Sequence, residues 1–194
     1  MARWGSPVSD VMPMDAASLI ALLQPLVPDA TFEAAPATDW PTVVVPAAHI
    51  VATCRALRDS LGYAVLSDLT CADAWPREPR FSVVYQLVNV DQPARVRLKV
   101  VVAGDAATVP TVSEVYANAN WAEREVFDLF GITFAGHTDL RRIMLPDEWE
   151  GHPLRKDYPV QVNVPVRVMA PLQVTEDEFI ANIERQRTVL SKRR

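Results

Sequence analysis

Two neighbouring runs of alternating residues in the middle of the chain constrain the fold most. In residues 80–90 and again in residues 95–102, apolar side chains recur at every second position. Because successive side chains of a strand point to opposite faces of a sheet, this period predicts a β-hairpin with one buried and one solvated face. The connection contains Asp91 and Pro93, which favour a turn. The predicted buried side chains are Phe81, Val83, Tyr85 and Leu87, then Val96, Leu98, Val100 and Val102.

Helical spacing of apolar residues precedes and follows this hairpin. A first helix is predicted from Met14 and ends at Pro25 or Pro28, because proline does not continue a helix. A second is predicted over residues 47–61, followed by Gly62, which tolerates the positive φ of a helix C-terminus. Residues 111–130 are also predicted to be helical. Two short helices that meet near Asn120 are an alternative, because capping-box spacing occurs in two pairs, Thr111 with Glu114 and Asn120 with Glu123.

The remaining ordered segments are short and β-branched. Residues 42–45 and 63–67 are predicted to be strands, and residues 68–79 a loop. The order of helices and strands predicts an α+β fold. We expect a two-layer domain with a mixed or antiparallel sheet covered by helices, plus an extended C-terminal arm that ends in a helix.

Changes in pattern divide the chain into four parts. Residues 1–13 lack periodicity and are expected to form a mobile tail, and residues 14–135 form the α+β domain. Residues 136–159 form a charged loop. Residues 160–194 alternate valines with polar residues and then enter an amphipathic stretch, so we expect an arm that docks on a partner surface.

Composition narrows the classes of function. The formal net charge of −5 disfavours nucleic acid as a partner, because phosphate binding needs clustered cations. No run approaches the roughly 18 apolar residues of a membrane span, so we expect a soluble, cytoplasmic chain that reaches a membrane only through partners. Two cysteines are too few for an iron–sulfur cluster, which usually needs about four thiolates, and buried structural thiols are the better interpretation.

The densest chemistry lies between Asn120 and Pro159, where charges of both signs alternate with Trp, Tyr, Phe and Leu. No nucleophile–base pattern or glycine-rich phosphate loop is present. His137 and His152 lack a further ligand at metal-binding spacing. A solvated, salt-bridged surface would be the ordinary interpretation. The interleaved Arg and aromatic residues instead favour an interface with another protein. Arg124 and Asp128 are spaced to pair on one helix face.

This stretch also resembles a known family. It resembles the 30 kDa subunit of respiratory NADH:quinone oxidoreductase (complex I), over about forty residues in order. Thr138 departs from the family, in which proline commonly follows the histidine. The residues that carry the resemblance are Glu123-Arg124-Glu125, Asp128, Gly131-Ile132, His137, Asp139-Leu140-Arg141-Arg142-Ile143, Pro146, Trp149 and the run from Gly151 to Pro159, which includes His152, Arg155, Lys156, Asp157 and Tyr158.

The resemblance implies a role without chemistry on this chain. Such subunits carry no redox centre: FMN, iron–sulfur clusters and quinone belong to other subunits. They contact the larger quinone-site subunit and adjacent iron–sulfur subunits at the cytoplasmic face of the cell membrane, in a complex that moves electrons from NADH to quinone and translocates protons. No catalytic, cofactor-binding or metal residue is therefore expected. Arg141, Arg142, Arg155 and Lys156 would form buried inter-subunit ion pairs, with Glu123, Arg124, Glu125 and Asp128 holding the loop against the helix.

Three other functions remain open. One is the homologous subunit of a membrane-bound hydrogenase or of a ferredoxin- or F420H2-dependent complex. Another is a stand-alone hydrolase that uses His152 and Asp157. The third is a free adaptor domain outside any membrane complex.

Overall fold

The computed structural model describes residues 15–36, 39–159, 175, 179–181 and 183. The chain divides into two compact units, with the boundary between Pro159 and Val160. In the second unit residues 179–181 and 183 are helical. The predicted N-terminal tail, the valine-rich part of the predicted arm and the predicted Thr175–Glu178 cap lie outside the described residues.

The first unit has an α+β fold, as predicted. In chain order its elements are α1 (Ala16–Leu23), β1 (Glu33–Ala35), β2 (Thr42–Val44), α2 (Ile50–Leu61), β3 (Val65–Asp73), β4 (Phe81–Asn89), β5 (Ala94–Val102), β6 (Thr108–Pro110), α3 (Ala119–Phe130) and β7 (Thr133–Ala135). A short 3₁₀ turn, Ala47–His49, leads into α2.

Five strands form one mixed sheet in the order β1-β2-β5-β4-β3. Strand β2 runs parallel to β5, and the other neighbours are antiparallel. Strands β6 and β7 pair in parallel as a separate small sheet. The helices pack on one face of the large sheet, where buried side chains of α1, α2 and α3 join those of the strands in a single core.

The central hairpin forms as its alternation predicts. Strand β4 pairs with β5 in unbroken register from Phe81 opposite Val102 to Asn89 opposite Ala94. The Asn89 side chain closes the turn, because its carbonyl oxygen accepts hydrogen bonds from the backbone N–H groups of Asp91 and Gln92.

The predicted end of α2 is confirmed, whereas α1 is shorter than predicted and runs from Ala16 to Leu23. Asp15 caps α1 by accepting a hydrogen bond from the backbone N–H of Ser18 at 2.8 Å. Gly62 ends α2 in the left-handed conformation, with φ of 77°. Cys54 and Cys71 are buried free thiols, and burial raises the pKa of each to about 12.

Two predicted elements are wrong in extent. The predicted loop 68–79 is strand as far as Asp73, because a bulge between Leu66 and Asp68 shifts the alternation by one residue and hides it. The predicted helix 111–130 begins only at Ala119. The Thr111 hydroxyl and the backbone N–H of Val112 instead donate to the Glu123 carboxylate, which holds that segment in turns. Strands β1, β6 and β7 were not predicted.

Candidate functional site

The loop that follows β7 folds back over α3 and is held there by Asp128. This carboxylate is fully buried and accepts a hydrogen bond from the Arg142 guanidinium at 2.7 Å. It also accepts hydrogen bonds from three consecutive backbone N–H groups, those of Ile143, Met144 and Leu145, at 2.8–3.0 Å. Burial alone would raise the pKa of Asp128, but these donors outweigh it and lower the pKa.

Arg124, one turn earlier on α3, contacts the same loop. Its guanidinium donates to the backbone carbonyls of Arg141 at 3.1 Å and of Arg142 at 3.4 Å, and lies 5.0 Å from the centre of the Trp121 ring. The predicted pair between Arg124 and Asp128 is wrong, because each side chain binds the loop rather than the other. The expectation that both hold the loop against the helix is consistent with these contacts.

Gly131, at the end of α3, lets the later part of the loop approach closely. It has φ of 74°, and a Cβ placed on it would lie 2.5 Å from His152 and 2.6 Å from Arg155. The Arg155 guanidinium donates to the carbonyl of Phe130 at 2.6 Å. The His152 ring donates from Nδ1 to the carbonyl of Asp128 at 2.9 Å. The loop therefore satisfies backbone carbonyls that the helix C-terminus leaves unpaired.

A buried arginine fastens the end of the loop to the sheet. Arg80 is 3% exposed and donates to both carboxylate oxygens of Asp73 and to both of Asp157. Asp73 also accepts from the backbone N–H of Lys156 at 2.9 Å. Burial raises the pKa of Asp73, yet the hydrogen bonds from Arg80 and from backbone N–H groups prevail and hold it at about 2. We call Asp73, Arg80 and Asp157 the arginine clamp.

A second buried group joins the start of the loop to α3. The Glu123 carboxylate accepts from the Thr111 hydroxyl at 2.5 Å and lies 3.9 Å from His137. The backbone N–H of Asp139 donates to Nδ1 of His137, so this histidine is the Nε2-protonated tautomer and donates to the carbonyl of Asn120 at 3.1 Å. Burial is the largest influence on Glu123 and raises its pKa.

The other predicted site residues are exposed or half-buried. Glu125 and the Lys156 side chain are exposed. Arg141 is 74% exposed and pairs with Asp139 at 2.6 Å. The Tyr158 hydroxyl donates to the carbonyl of Glu150, and the Trp149 indole N–H is buried without a hydrogen-bond partner among the described residues.

These contacts affect two of the sequence-based interpretations. Arg142 already binds Asp128, and Arg155 already binds the carbonyl of Phe130, within the chain. The predicted inter-subunit ion pairs of Arg141, Arg142, Arg155 and Lys156 stay a prediction. His152 and Asp157 bind different groups, Asp128 and Arg80, and within residues 39–159 no hydrogen bond links them. The geometry therefore gives no support to a nucleophile–base pair.

Large apolar side chains remain exposed around the ordered loop. Trp121, Met144 and Leu154 are 64%, 61% and 50% exposed, and the Arg141 side chain, which pairs with Asp139, is 74% exposed. We call Trp121, Arg141, Met144 and Leu154 the loop surface. Asp128 and Arg124 bind the backbone at Met144 and Arg141, the backbone N–H of Leu154 donates to the carbonyl of Leu129, and Trp121 lies on α3. Hydrogen bonds to α3 therefore hold the backbone that presents these side chains. Rigid Trp and Arg side chains are the groups that dominate binding energy in interfaces.

Sequence reasoning missed Asp73 and Arg80. Had β3 been extended through its bulge to Asp73, the β3–β4 register would have placed Asp73 opposite Phe81, and so beside Arg80. Asp157 gave no such signal, because it lies 77 residues from Arg80 in the chain. The described residues also hold no group of three or more His, Cys, Asp or Glu side chains that could bind a metal. None of the described helices has the length and apolar character to cross a bilayer.

Comparison with known proteins identifies the family. The family described as respiratory-chain NADH dehydrogenase, 30 Kd subunit, matches residues 43–164, which include the sheet from β2 onwards, α3 and the whole loop. The chain belongs to this family. The resemblance predicted from the charged stretch is therefore confirmed.

Curated relatives in the family are similar in sequence to this chain over most of their length. A NADH-quinone oxidoreductase subunit of Geotalea uraniireducens is 48% identical over 120 residues, which cover 62% of this chain and 73% of the relative. The corresponding subunit of Roseiflexus castenholzii is 43% identical over 151 residues, which cover 77% and 87%.

Solved structures share the fold. The trypsin-resistant fragment of Nqo5 superposes with a TM-score of 0.51 at 30% identity, covering 63% of this chain and 98% of the fragment. A chain of an archaeal respiratory membrane complex, the membrane-bound sulfane sulfur reductase, gives a TM-score of 0.63 at 27% identity, covering 74% and 85%.

Proposed function

We propose that this 30 kDa family member is a structural subunit of a proton-translocating NADH:quinone oxidoreductase. In this proposal it carries no redox centre, and electrons pass from NADH through FMN and iron–sulfur centres of other subunits to quinone. Its place is the cytoplasmic face of the cell membrane, which it reaches through its partners. The curated relatives are named as subunits of NADH-quinone oxidoreductase, which supports membership of such a complex.

The loop surface is the proposed contact with the quinone-site subunit. The observation that carries this proposal is the exposure of Trp121 on α3 and of Met144 in the loop, next to an Arg142–Asp128 ion pair that is complete within the chain. Burying an unpaired charge in an interface is costly, whereas Arg142 and Asp128 satisfy each other inside the chain. A partner can therefore cover the apolar groups without leaving either of those two charges unpaired.

The C-terminal arm is the proposed second contact, which would extend to adjacent iron–sulfur subunits. In its described helical residues, Phe179, Ile180 and Ile183 are 60%, 48% and 39% exposed. Positions three and four apart lie on one helix face, so these side chains form an apolar stripe suited to a partner.

A tagged chain purified from detergent-solubilised membranes tests this function. We expect the quinone-site subunit, iron–sulfur subunits and an NADH-binding flavoprotein to co-purify, and truncation after Pro159 to reduce their recovery while the first unit stays folded. Recovery of the tagged chain without those subunits would contradict the proposal.

A related complex is the second candidate, favoured by the structural similarity to the sulfane sulfur reductase chain. The same purification separates the two, because the electron-input partner differs. Co-purification of an NADH-binding flavoprotein supports the first. Its absence, with quinone-site and iron–sulfur homologues still present, supports the second.

A further inference from the structure

One face of the large sheet carries no helix within residues 15–36 and 39–159. Two parallel columns of side chains cross this open face. On β4 the column alternates polar and apolar side chains, in the order Ser82, Val84, Gln86 and Val88, and its two valines are half-buried and lie outside the hydrophobic core. On β5 the column consists of three cations, Arg95, Arg97 and Lys99, followed by Val101. The register places Val88 beside Arg95 and Val84 beside Lys99.

The cations at the two ends of this column lack a partner of opposite charge. Asp39 pairs with Arg97 at 2.8 Å. Among the described residues no carboxylate lies within ion-pair distance of Arg95 or Lys99. The other carboxylates whose register puts them on this face, Glu33 and Asp68, stand on the outer strands β1 and β3. The centre of the open face is therefore positive in a chain whose net charge is −5.

The Trp40 ring lies at the Arg95 end of the β5 column. The guanidinium groups of Arg95 and Arg97 lie 5.1 Å and 5.2 Å from the ring centre of Trp40. Beside Trp40 a cavity of about 680 Å³ opens between the β4–β5 turn, the end of α2 and Leu22 of α1.

We propose that the open face docks an acidic amphipathic α-helix of another subunit, a proposal that rests on membership of the complex. Arg95 and Lys99, four residues apart on a strand, are separated by roughly 13 Å. Carboxylates seven or eight residues apart on a helix are separated by roughly 10.5–12 Å. A helix lying along β5 places two such carboxylates over the cations and its apolar stripe over Val84 and Val88.

Photocrosslinking in the assembled complex tests this proposal. A benzophenone amino acid is placed at Val84, and the complex is isolated through a tag on this chain. We expect cross-links to a segment of another subunit that carries Asp or Glu seven or eight residues apart. The double variant Arg95→Glu and Lys99→Glu should lower the cross-link yield several-fold, and changing those two acids to Lys should restore it. Arg77→Glu, an exposed arginine elsewhere, serves as the control and should leave the yield unchanged.

Other outcomes overturn the proposal. Cross-links to a second copy, to residues 160–194 of the same chain, or to a segment without that acidic spacing would each do so. So would the absence of cross-links in a complex that is otherwise intact, while the proposed function would stand. If no other subunit co-purifies, both proposals fail together.

Discussion

The Asp128 carboxylate accepts a hydrogen bond from the Arg142 guanidinium at 2.7 Å, which joins α3 to the loop that follows β7. Asp128 lies on α3, whereas Arg142 lies in the loop that presents the proposed docking groups. The same carboxylate binds the backbone at Ile143, Met144 and Leu145. The position of Met144 in the loop surface therefore depends on one buried side chain.

Asp128→Asn should release this part of the loop. The amide cannot accept from all four donors, and it leaves the Arg142 charge half-buried without its partner. We expect a loss of about 3 kcal/mol in the free energy of unfolding, the usual scale for half of a buried ion pair. Hydrogen exchange of the 143–145 amides should also speed up. Asp147→Asn, at an exposed position in the same loop, is the control, and equal effects of the two changes would contradict the role of Asp128.

Gly131→Ala should displace the later part of the loop. The new Cβ would overlap His152 and Arg155 in addition to straining a positive φ. Gly104→Ala isolates the second effect, because Gly104 has φ of 78° and nothing within 4 Å of the added atom. Thermal unfolding should show a larger loss for Gly131→Ala than for Gly104→Ala, with a more protease-sensitive loop. Similar losses would mean that close approach at Gly131 is unimportant.

The arginine clamp should weaken in acid. The folded pKa of Asp73 is about 2, below the unfolded value, so the folded state binds fewer protons. Its contribution to stability is present above the unfolded pKa and is lost as pH falls through the folded pKa. Urea unfolding should therefore show Asp73→Asn less stable than wild type by about 3 kcal/mol at pH 7, with a smaller difference near pH 2–3. A pH-independent difference would contradict this, and Asp29→Asn is the exposed control.

The contribution of Glu123 to stability should change with pH in the opposite direction to that of Asp73. Its folded pKa is raised, so the folded state binds more protons and stability declines as pH rises through the interval between the unfolded and folded pKa values. Glu123→Gln removes the buried charge and keeps an acceptor for the backbone N–H of Val112. We expect its melting temperature relative to wild type to rise from pH 4 to pH 8. A constant difference over that range would show that Glu123 does not titrate there.

Local pattern predicted the parts of the fold that depend on near neighbours. The β4–β5 hairpin and the end of α2 at Gly62 follow from alternation and from glycine chemistry. The pair between Arg124 and Asp128 did not form. The spacing rule applies to exposed helix surfaces, where such a pair stabilises by only about 0.3–0.5 kcal/mol, whereas both of these side chains are buried. Several hydrogen bonds from the loop to each side chain outweigh such a pair, and spacing along a helix carries no information about the loop.

The residue types of the sequence located the site, but they did not predict which residues contact each other there. The density of charge and aromatic residues between Asn120 and Pro159 marked the segment. The partners of those charges came from elsewhere: Arg80 from the start of β4, and Thr111 from a segment predicted to be helical. Contacts between residues that lie tens of positions apart depend on how the sheet and α3 pack. The periodicity of the sequence does not predict that packing.

Arg141→Ala together with Arg142→Ala should lower the amount of assembled complex. The change removes one loop-surface cation and the partner of Asp128, so fewer chains present the docking groups in place. Complex abundance on native gels measures this, and the quinone affinity of the remaining complex should be unchanged. Normal abundance with altered quinone kinetics would contradict a role in assembly.

Docking through the loop surface is tested most directly by the double variant Trp121→Ala and Met144→Ala. Both side chains are mostly exposed, so the isolated chain should keep its fold and melting temperature. The measurement is the amount of quinone-site subunit that co-purifies with the tagged chain from solubilised membranes, with Val90→Ala, 69% exposed on the β4–β5 turn, as the control. We predict a several-fold loss for the double variant and none for the control. Full recovery of the quinone-site subunit with the double variant would show that the loop surface is not the docking site.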